Sequence, residues 1–244
     1  MQCDFSIIIP IYNTPKVNFY KCLQSLYNSS NLYHNILNFE IIIVNDGSDI
    51  CYNELIDDFS KYFKINYYIL SDNHGRSYAR NYAIKKSNSD SILFLDSDDE
   101  VYLNYFSDIQ HYFKTEFDYI TFSYSINSIP VYRLKFPFIS KDISYNLYHY
   151  FCTNSILLKK YIFNNIEFDT NLSISEDISL WKQVLRNYNG IHINTILSKY
   201  NFDYKDYKNS TPTFILTKIL KKLKYIFKFW LLGYLFKSKN ITKN

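Results

Sequence analysis

The sequence predicts an α/β protein built on a mainly parallel, doubly wound sheet. Continuous apolar runs such as Phe5-Ser6-Ile7-Ile8-Ile9-Pro10 and Phe39-Glu40-Ile41-Ile42-Ile43-Val44 read as strands buried on both faces. Helical stretches separate such runs, so strand and helix alternate four times before residue 100, as parallel crossovers require. Only 4 Gly and 5 Pro in 244 residues leave little room for linkers, and the length suits one α/β domain with a sizeable core.

In order, Phe5–Pro10 is the first strand, closed by Pro. The loop Ile11-Tyr12-Asn13-Thr14-Pro15 follows, with Thr14 as a helix N-cap and Pro15 at the first helical position. Leu23, Leu26 and Tyr27 give the next helix its apolar stripe. The second strand, Phe39–Val44, runs into Asn45-Asp46-Gly47-Ser48-Asp49. A helix from Tyr52 to Tyr62 leads to a third strand, Asn66–Leu70. Asp72-Asn73-His74-Gly75-Arg76 then opens a helix through Ala79–Ile84. Ser91–Leu95 is the fourth strand, and it empties into Asp96-Ser97-Asp98-Asp99-Glu100.

The second half is less regular. Strands are expected at Asp118–Tyr124, Val131–Phe138 and Asn154–Leu158, with a short helix at Lys160–Asn164. His192 falls in a further strand. Ser173-Ile174-Ser175-Glu176-Asp177 precedes a helix whose apolar face carries Ile178, Trp181, Val184 and Leu185. Ser175 suits a cap, and the acidic pair suits either helix-start chemistry or a site.

Charge divides the chain. No Asp or Glu follows Asp206, and 8 of the 27 basic residues lie in 211–244, leaving 19 basic against 23 acidic groups ahead of them. A nucleic-acid-binding body is not expected, because it needs positive charge on its folded surface. From Phe214 a lysine-rich amphipathic helix is expected, with Leu216, Ile219, Leu220, Leu223, Ile226, Phe227 and Trp230 on one side. Its longest uncharged run, Phe229–Phe236, is far short of the roughly 20 residues a bilayer span needs. Residues 214–237 suit an anionic membrane interface, or a helix packed on the body with its lysines in solvent. Cys3, Cys22, Cys51 and Cys152 are scattered, without a Cys-x-x-Cys, which fits a reducing compartment rather than a zinc site. Asp4 and the strand that follows at once give no signal-peptide pattern. A cytoplasmic protein, peripheral on the cytoplasmic face of the membrane, is expected.

In doubly wound sheets ligands bind beyond the carboxyl ends of the strands. Tyr12, Asp46, the Gly75 loop and Asp96–Asp99 all fall there. Crowded aspartates call for a cation or for hydrogen-bond donors, and oxygen-only ligands select a hard ion, Mn2+ or Mg2+. A solvated acidic turn is the alternative. An EF-hand is excluded, because counting from Asp96 puts Val101 at position six and Ser107 at position twelve, where Gly and Glu are needed.

Five segments in register resemble a family 2 glycosyltransferase with a GT-A-type nucleotide-sugar-binding fold. They are Ser6–Asn13, Ile42–Ser48, Asn73-His74-Gly75 with Ala79-Arg80-Asn81, Asp96-Ser97-Asp98-Asp99, and Ser175-Glu176-Asp177. The resemblance implies a glycosyltransferase domain over residues 1–210. Its nucleotide-sugar-binding half would be 1–120 and its acceptor half 121–210, with the basic tail 211–244 outside. Pro10 and Tyr12 would cradle the nucleobase, and Asp46 would accept from its imide N–H. Gly75 would let backbone approach the nucleotide, and Arg80 would support the base site or the aspartates. Asp96 would contact the ribose or share the metal, for which Asp98 would be the direct ligand. Asp177 would be the general base, and Glu176 would position the acceptor or support Asp177.

The implied reaction moves a hexose or N-acetylhexosamine from a UDP-sugar, with inversion, to a hydroxyl of a growing glycan or glycolipid such as lipooligosaccharide or capsule. Two departures stand out. Leu180, Trp181 and Lys182 replace an aromatic followed by Arg, and Ser198–Ser210 holds no His, so the diphosphate and water are expected to complete any metal shell. The alternatives are an inactive binding module on the same fold, or a nucleotidyltransferase making nucleotide sugars. The latter should show a Gly-rich phosphate loop where this chain has Ile11–Pro15. A dinucleotide oxidoreductase lacks its Gly-x-Gly-x-x-Gly.

Overall fold

A computed structural model describes residues 3–32, 38–112, 115–131, 153–174 and 176–201. The chain separates into two compact units, Met1–Asn201 and Phe202–Asn244, and the described residues belong to the first. Of the expected strand Val131–Phe138 only Val131 is described, ending a strand Ile129–Val131; the rest of it, the Ser175 cap and the basic tail lie outside the described residues. No helix among the described residues is long and apolar enough to cross a membrane.

The first half follows the expected alternation: β1 (Phe5–Ile11), α1 (Lys16–Asn31), β2 (Phe39–Asp46), α2 (Asn53–Phe59), β3 (Lys64–Leu70), α3 (Arg76–Lys86) and β4 (Ser91–Phe94). β1 pairs in parallel with β2 and β4, and β2 in parallel with β3. Next come β5 (Glu100–Val101), α4 (Tyr105–Ile109), β6 (Tyr119–Ile126), β7 (Ile129–Val131), β8 (Ile156–Lys159), α5 (Glu176–Asn187) and β9 (Gly190–Tyr200). The sheet runs β3-β2-β1-β4-β8-β6-β9-β5, with β7 on β6.

The sheet is parallel only as far as β4. There β8 enters antiparallel, β6 is antiparallel to β8, and β9 is parallel to β6. Two successive reversals bring β6 and β9 back to the direction of β1. The carboxyl end of β9 therefore reaches the same edge as those of β1, β2 and β4. Sequence periodicity fixes which residues are buried but not strand direction, so the mixed half was not foreseen.

Winding on both faces is borne out. Phe5, Ile7, Ile9 and Ile11 of β1 pack with Phe19, Cys22, Leu23 and Leu26 of α1, Ile56 and Phe59 of α2, and Tyr105, Phe106 and Ile109 of α4. On the other face Ile8, Ile42 and Val44 meet Ala79 and Ala83 of α3 and Leu180, Trp181 and Val184 of α5. Each buried aliphatic or aromatic side chain contributes about 1.5–3 kcal/mol. In α5 the inward face is Leu180, Trp181 and Val184, and Ile178 is only half-buried. Trp181 lies at 2% exposure with its ring centroid 6.4 Å from Phe94 and 6.1 Å from Phe168, so it is core.

Local chemistry corrects two expectations. α1 starts at Lys16, and Pro15 at its cap position makes no side-chain bond. The Thr14 hydroxyl instead meets Ser97 Oγ at 2.7 Å, joining the β1 loop to the aspartate loop. Gly47 is required where it stands: its φ is +73°, and a Cβ there would lie 2.4 Å from the Asp72 carbonyl carbon.

Candidate functional site at the carboxyl edge

The loops that leave β1, β2, β3 and β4 are stitched to one another. The Asn13 backbone N–H donates to Ser48 Oγ at 3.0 Å, and the Asp49 N–H donates to Asn13 Oδ1 at 2.9 Å. Asn13 takes a positive φ of 48° to do this, a conformation Asn tolerates better than most residues. Tyr52 Oη donates to the Thr14 carbonyl at 2.8 Å. Pro10 is half-buried, while Tyr12 keeps 49% of its surface exposed, leaving its ring accessible at the rim.

Asp46 is buried (2% exposed) and holds the next loop. Its Oδ1 accepts the His74 N–H at 2.9 Å and its Oδ2 the Gly75 N–H at 2.7 Å. Gly75 sits at φ +90° with nothing within 4 Å of where a Cβ would be, so the backbone there faces open space. Asp46 thus shapes the Gly75 loop directly.

Arg80 is the hub. Its side chain is 1% exposed, with Nη2 2.6 Å from Asp96 Oδ1 and Nη1 3.0 Å from Glu176 Oε1. Its guanidinium also lies 5.2 Å from the Phe168 ring centre. Burial disfavours its charge, but Asp96 and then Glu176 outweigh this and raise its pKa. Of the aspartates in the run, Asp96 is the one that Arg80 meets. A buried fork spanning two carboxylates ties β4 to the start of α5.

At that start, Asp177 is half-buried, and its Oδ1 accepts the Ile178 N–H at 2.7 Å. Burial first, then the charge of Glu176, pushes its pKa above the ordinary 3.8. Arg76, one turn before Arg80, places Nε 3.7 Å from the same Glu176 oxygen. Because the exposed part of Arg76 is large (61%), this pair is worth little by itself.

The aspartate run resolves into different environments. Asp96 is partly exposed and engaged by Arg80 through one oxygen. Asp98 is exposed, and Asp99 is fully buried at 0%. Burial, then Asp96 and Asp98, push the Asp99 carboxyl well up, opposed by bonds from Asn201 and Asn154. Burial also works against Glu100, but Lys199 and Asn201 outweigh it and lower its pKa. Hydrogen-bond donors thus reach Asp96, Asp99 and Glu100, and Asp98 is the exposed member of the run.

Among the described residues, no three His, Cys, Asp or Glu side chains gather as a metal cage would require. Mg2+ and Mn2+ at phosphate sites need only one or two carboxylates, with phosphate and water completing the shell. An exposed Asp98 with a partly exposed Asp96 beside it fits that donor set.

Sequence reasoning missed Asn154, Lys199 and Asn201, which hold Asp99 and Glu100 from β9 and the turn before β8. No local pattern marks them. Only the return of β9 to this edge brings them within reach.

A twisted mixed sheet whose parallel half opens at its carboxyl edge onto an aspartate loop has the GT-A architecture of nucleotide-sugar transferases. The crystal structure of Staphylococcus aureus TarS 1–349 in complex with UDP-GlcNAc superposes with a TM-score of 0.70 over 86% of this chain and 61% of that one, at 21% identity. Its complex with UDP gives 0.69 over 85% of this chain and 62% of that one, at 20% identity. Residues 6–166, more than half of the chain, match glycosyl transferase family 2, and the chain belongs to that family. The minor teichoic acid biosynthesis protein GgaB of Bacillus subtilis is 30% identical over 72% of this chain. An uncharacterized glycosyltransferase of Rickettsia bellii is 42% identical over 41% of it. The chain spans only 20% and 13% of the lengths of those two relatives.

Proposed function

We propose that this chain transfers a hexose or N-acetylhexosamine from a UDP-sugar to a hydroxyl of a growing surface glycan, with inversion and with Mn2+ or Mg2+ as cofactor. The observation that carries this reading is Arg80, which links Asp96 and Glu176 within one buried fork. It brings a donor-side carboxylate together with Glu176, the neighbour of the candidate base Asp177, at the edge where ligands of such sheets bind. The TarS complexes with UDP and UDP-GlcNAc support a uridine diphosphate donor. The likeness to a teichoic acid biosynthesis protein supports a cell-surface glycan as acceptor.

The exposed Tyr12 ring would stack on the base above Pro10. Asp46 would accept from the base imide and also hold the Gly75 backbone close to the nucleotide. Asp98, with Asp96, would hold the cation, which supplies charge neutralisation for the leaving diphosphate. Asp177 would take the proton from the acceptor hydroxyl as that oxygen attacks the anomeric carbon opposite the diphosphate. The C–O bond to the diphosphate breaks as the new one forms, so an α-linked donor gives a β-glycoside. A carboxylate is a weak base for a hydroxyl, and positioning must supply much of the rate. Glu176, held by Arg80, would position the acceptor or support Asp177.

The test is a panel of nucleotide sugars assayed for nucleotide release and for the anomeric form of the product, with and without Mn2+. Metal-dependent UDP release with a β product is expected. UDP release that survives both chelation and Asp98→Ala would remove the metal from the mechanism, and a retained anomer would remove the single displacement.

We further propose that the basic segment 211–244 holds the protein on the cytoplasmic face of an anionic membrane, near a lipid-borne acceptor. Its eight lysines without an acidic residue support this. Deleting 212–244 should release the protein from anionic vesicles, and unchanged binding would contradict it.

A further inference from the structure

Asn154, Lys199 and Asn201 take no part in the chemistry proposed above, yet they grip the aspartate run from its far side. A fully buried carboxylate such as Asp99 needs donors on its oxygens. The Asn201 backbone N–H supplies one at 2.8 Å to Oδ1, and Asn154 Nδ2 another at 2.8 Å to Oδ2. Ser198 Oγ fixes the Asn154 amide by donating to its Oδ1 at 3.0 Å. The Asn201 side chain does something different. Its Nδ2 donates to the backbone carbonyl of Asp98 at 2.8 Å and to Glu100 Oε1 at 3.0 Å. Lys199 Nζ closes on the same Glu100 oxygen at 2.9 Å.

We propose that Asn201 is a positioning residue for the donor's cation. One planar amide bonds the peptide of Asp98 and the side chain two residues on. It fixes the backbone on which the exposed Asp98 carboxylate is carried, without itself touching substrate. The two protons of a single amide reach two acceptors of one loop, and this defines where that loop sits relative to the end of β9. Burial of Asp99 depends on the Asn201 backbone and on Asn154, so loss of the Asn201 side chain leaves that anchor in place. The inference rests on the metal-dependent reading above.

The experiment measures Mn2+ affinity by calorimetry in the presence of UDP, together with metal-free UDP affinity and the thermal midpoint, for the full chain. Asn201→Ala should weaken Mn2+ binding about tenfold, as expected for loss of hydrogen bonds that orient a ligand. Asn201→Asp, which sets an acceptor against the Asp98 carbonyl and Glu100, should weaken it further. Metal-free UDP affinity and the midpoint should stay close to wild type. Unchanged Mn2+ affinity in both variants would overturn the positioning role while leaving the proposed function standing. Equal losses of Mn2+ and metal-free UDP binding would also overturn it, because they would mark a general collapse of the edge. A wild-type protein that binds no Mn2+ with UDP would overturn the metal reading and this inference together.

Discussion

Arg80 shows how much of the site hangs on one side chain. Its two terminal nitrogens reach different carboxylates, Asp96 at 2.6 Å and Glu176 at 3.0 Å, while its own side chain is 1% exposed. A lysine offers one compact ammonium and cannot span both. Arg80→Lys should lower kcat/KM by about tenfold to a hundredfold, roughly 1.4–2.8 kcal/mol, measured as UDP release. Asp177→Asn should lower turnover by about 10²–10⁴, the usual share of a general base. Burial and Glu176 raise the pKa of Asp177 above 3.8, and the base acts ionised. The acid limb of the rate profile should therefore rise with pH through a value above the ordinary carboxylate, and Asp177→Asn should abolish that limb. The proposed roles of Asp98 and Asp177 come from the family resemblance, while their positions, after a strand and at a helix start, were legible in the sequence. The target of Arg80 was not, since which carboxylates a helix arginine reaches depends on how α3 meets β4 and α5.

At the scale of elements, the two ends of the parallel strands carry opposite assignments. The carboxyl end holds the candidate site, and the amino end holds a buried polar clasp centred on Glu40, which is 0% exposed. Glu40 accepts from Ser6 Oγ at 2.8 Å, from Asn66 Nδ2 at 2.8 Å and from the Asn88 N–H at 2.7 Å, with Lys64 Nζ 3.4 Å away. It joins β1, β2, β3 and the turn after α3. Burial opposes its charge, but the Asn88 and Ser6 bonds prevail and lower its pKa from 4.5. Glu40→Ala, which strands those donors, should destabilise folding by about 2–4 kcal/mol in denaturant titrations. Because the folded pKa is depressed, the stability Glu40 contributes is complete at neutral pH. It is lost as the pH falls from 4.5 through the lower folded value, so the difference between wild type and Glu40→Ala should shrink on acidification. The strands themselves were legible because Ile-rich runs such as Ile41-Ile42-Ile43 leave few other options. Short β5 and α4 carried too little pattern to be read, and Thr14 looked like a cap because nothing local shows that Ser97 stands 2.7 Å from it.

In the molecule as a whole, a parallel half joins a mixed half through β4 and β8, with β9 returning to the site edge. The family and the parallel half were readable from five ordered motifs, each at a strand end or helix start. The mixed half was not, because reversal of β8 and β6 is a long-range pairing choice that composition does not encode. The function proposed for this edge gives two separable tasks to two carboxylates: Asp98 would serve the cation and diphosphate, and Asp177 the acceptor proton. Calorimetric titration of UDP, with Mn2+ present, into wild type, Asp98→Ala and Asp177→Asn tests that division most directly. The account predicts that Asp98→Ala loses the Mn2+-dependent part of UDP binding while Asp177→Asn keeps it. Wild-type Mn2+-dependent binding in Asp98→Ala, or its loss in Asp177→Asn alone, would contradict the account.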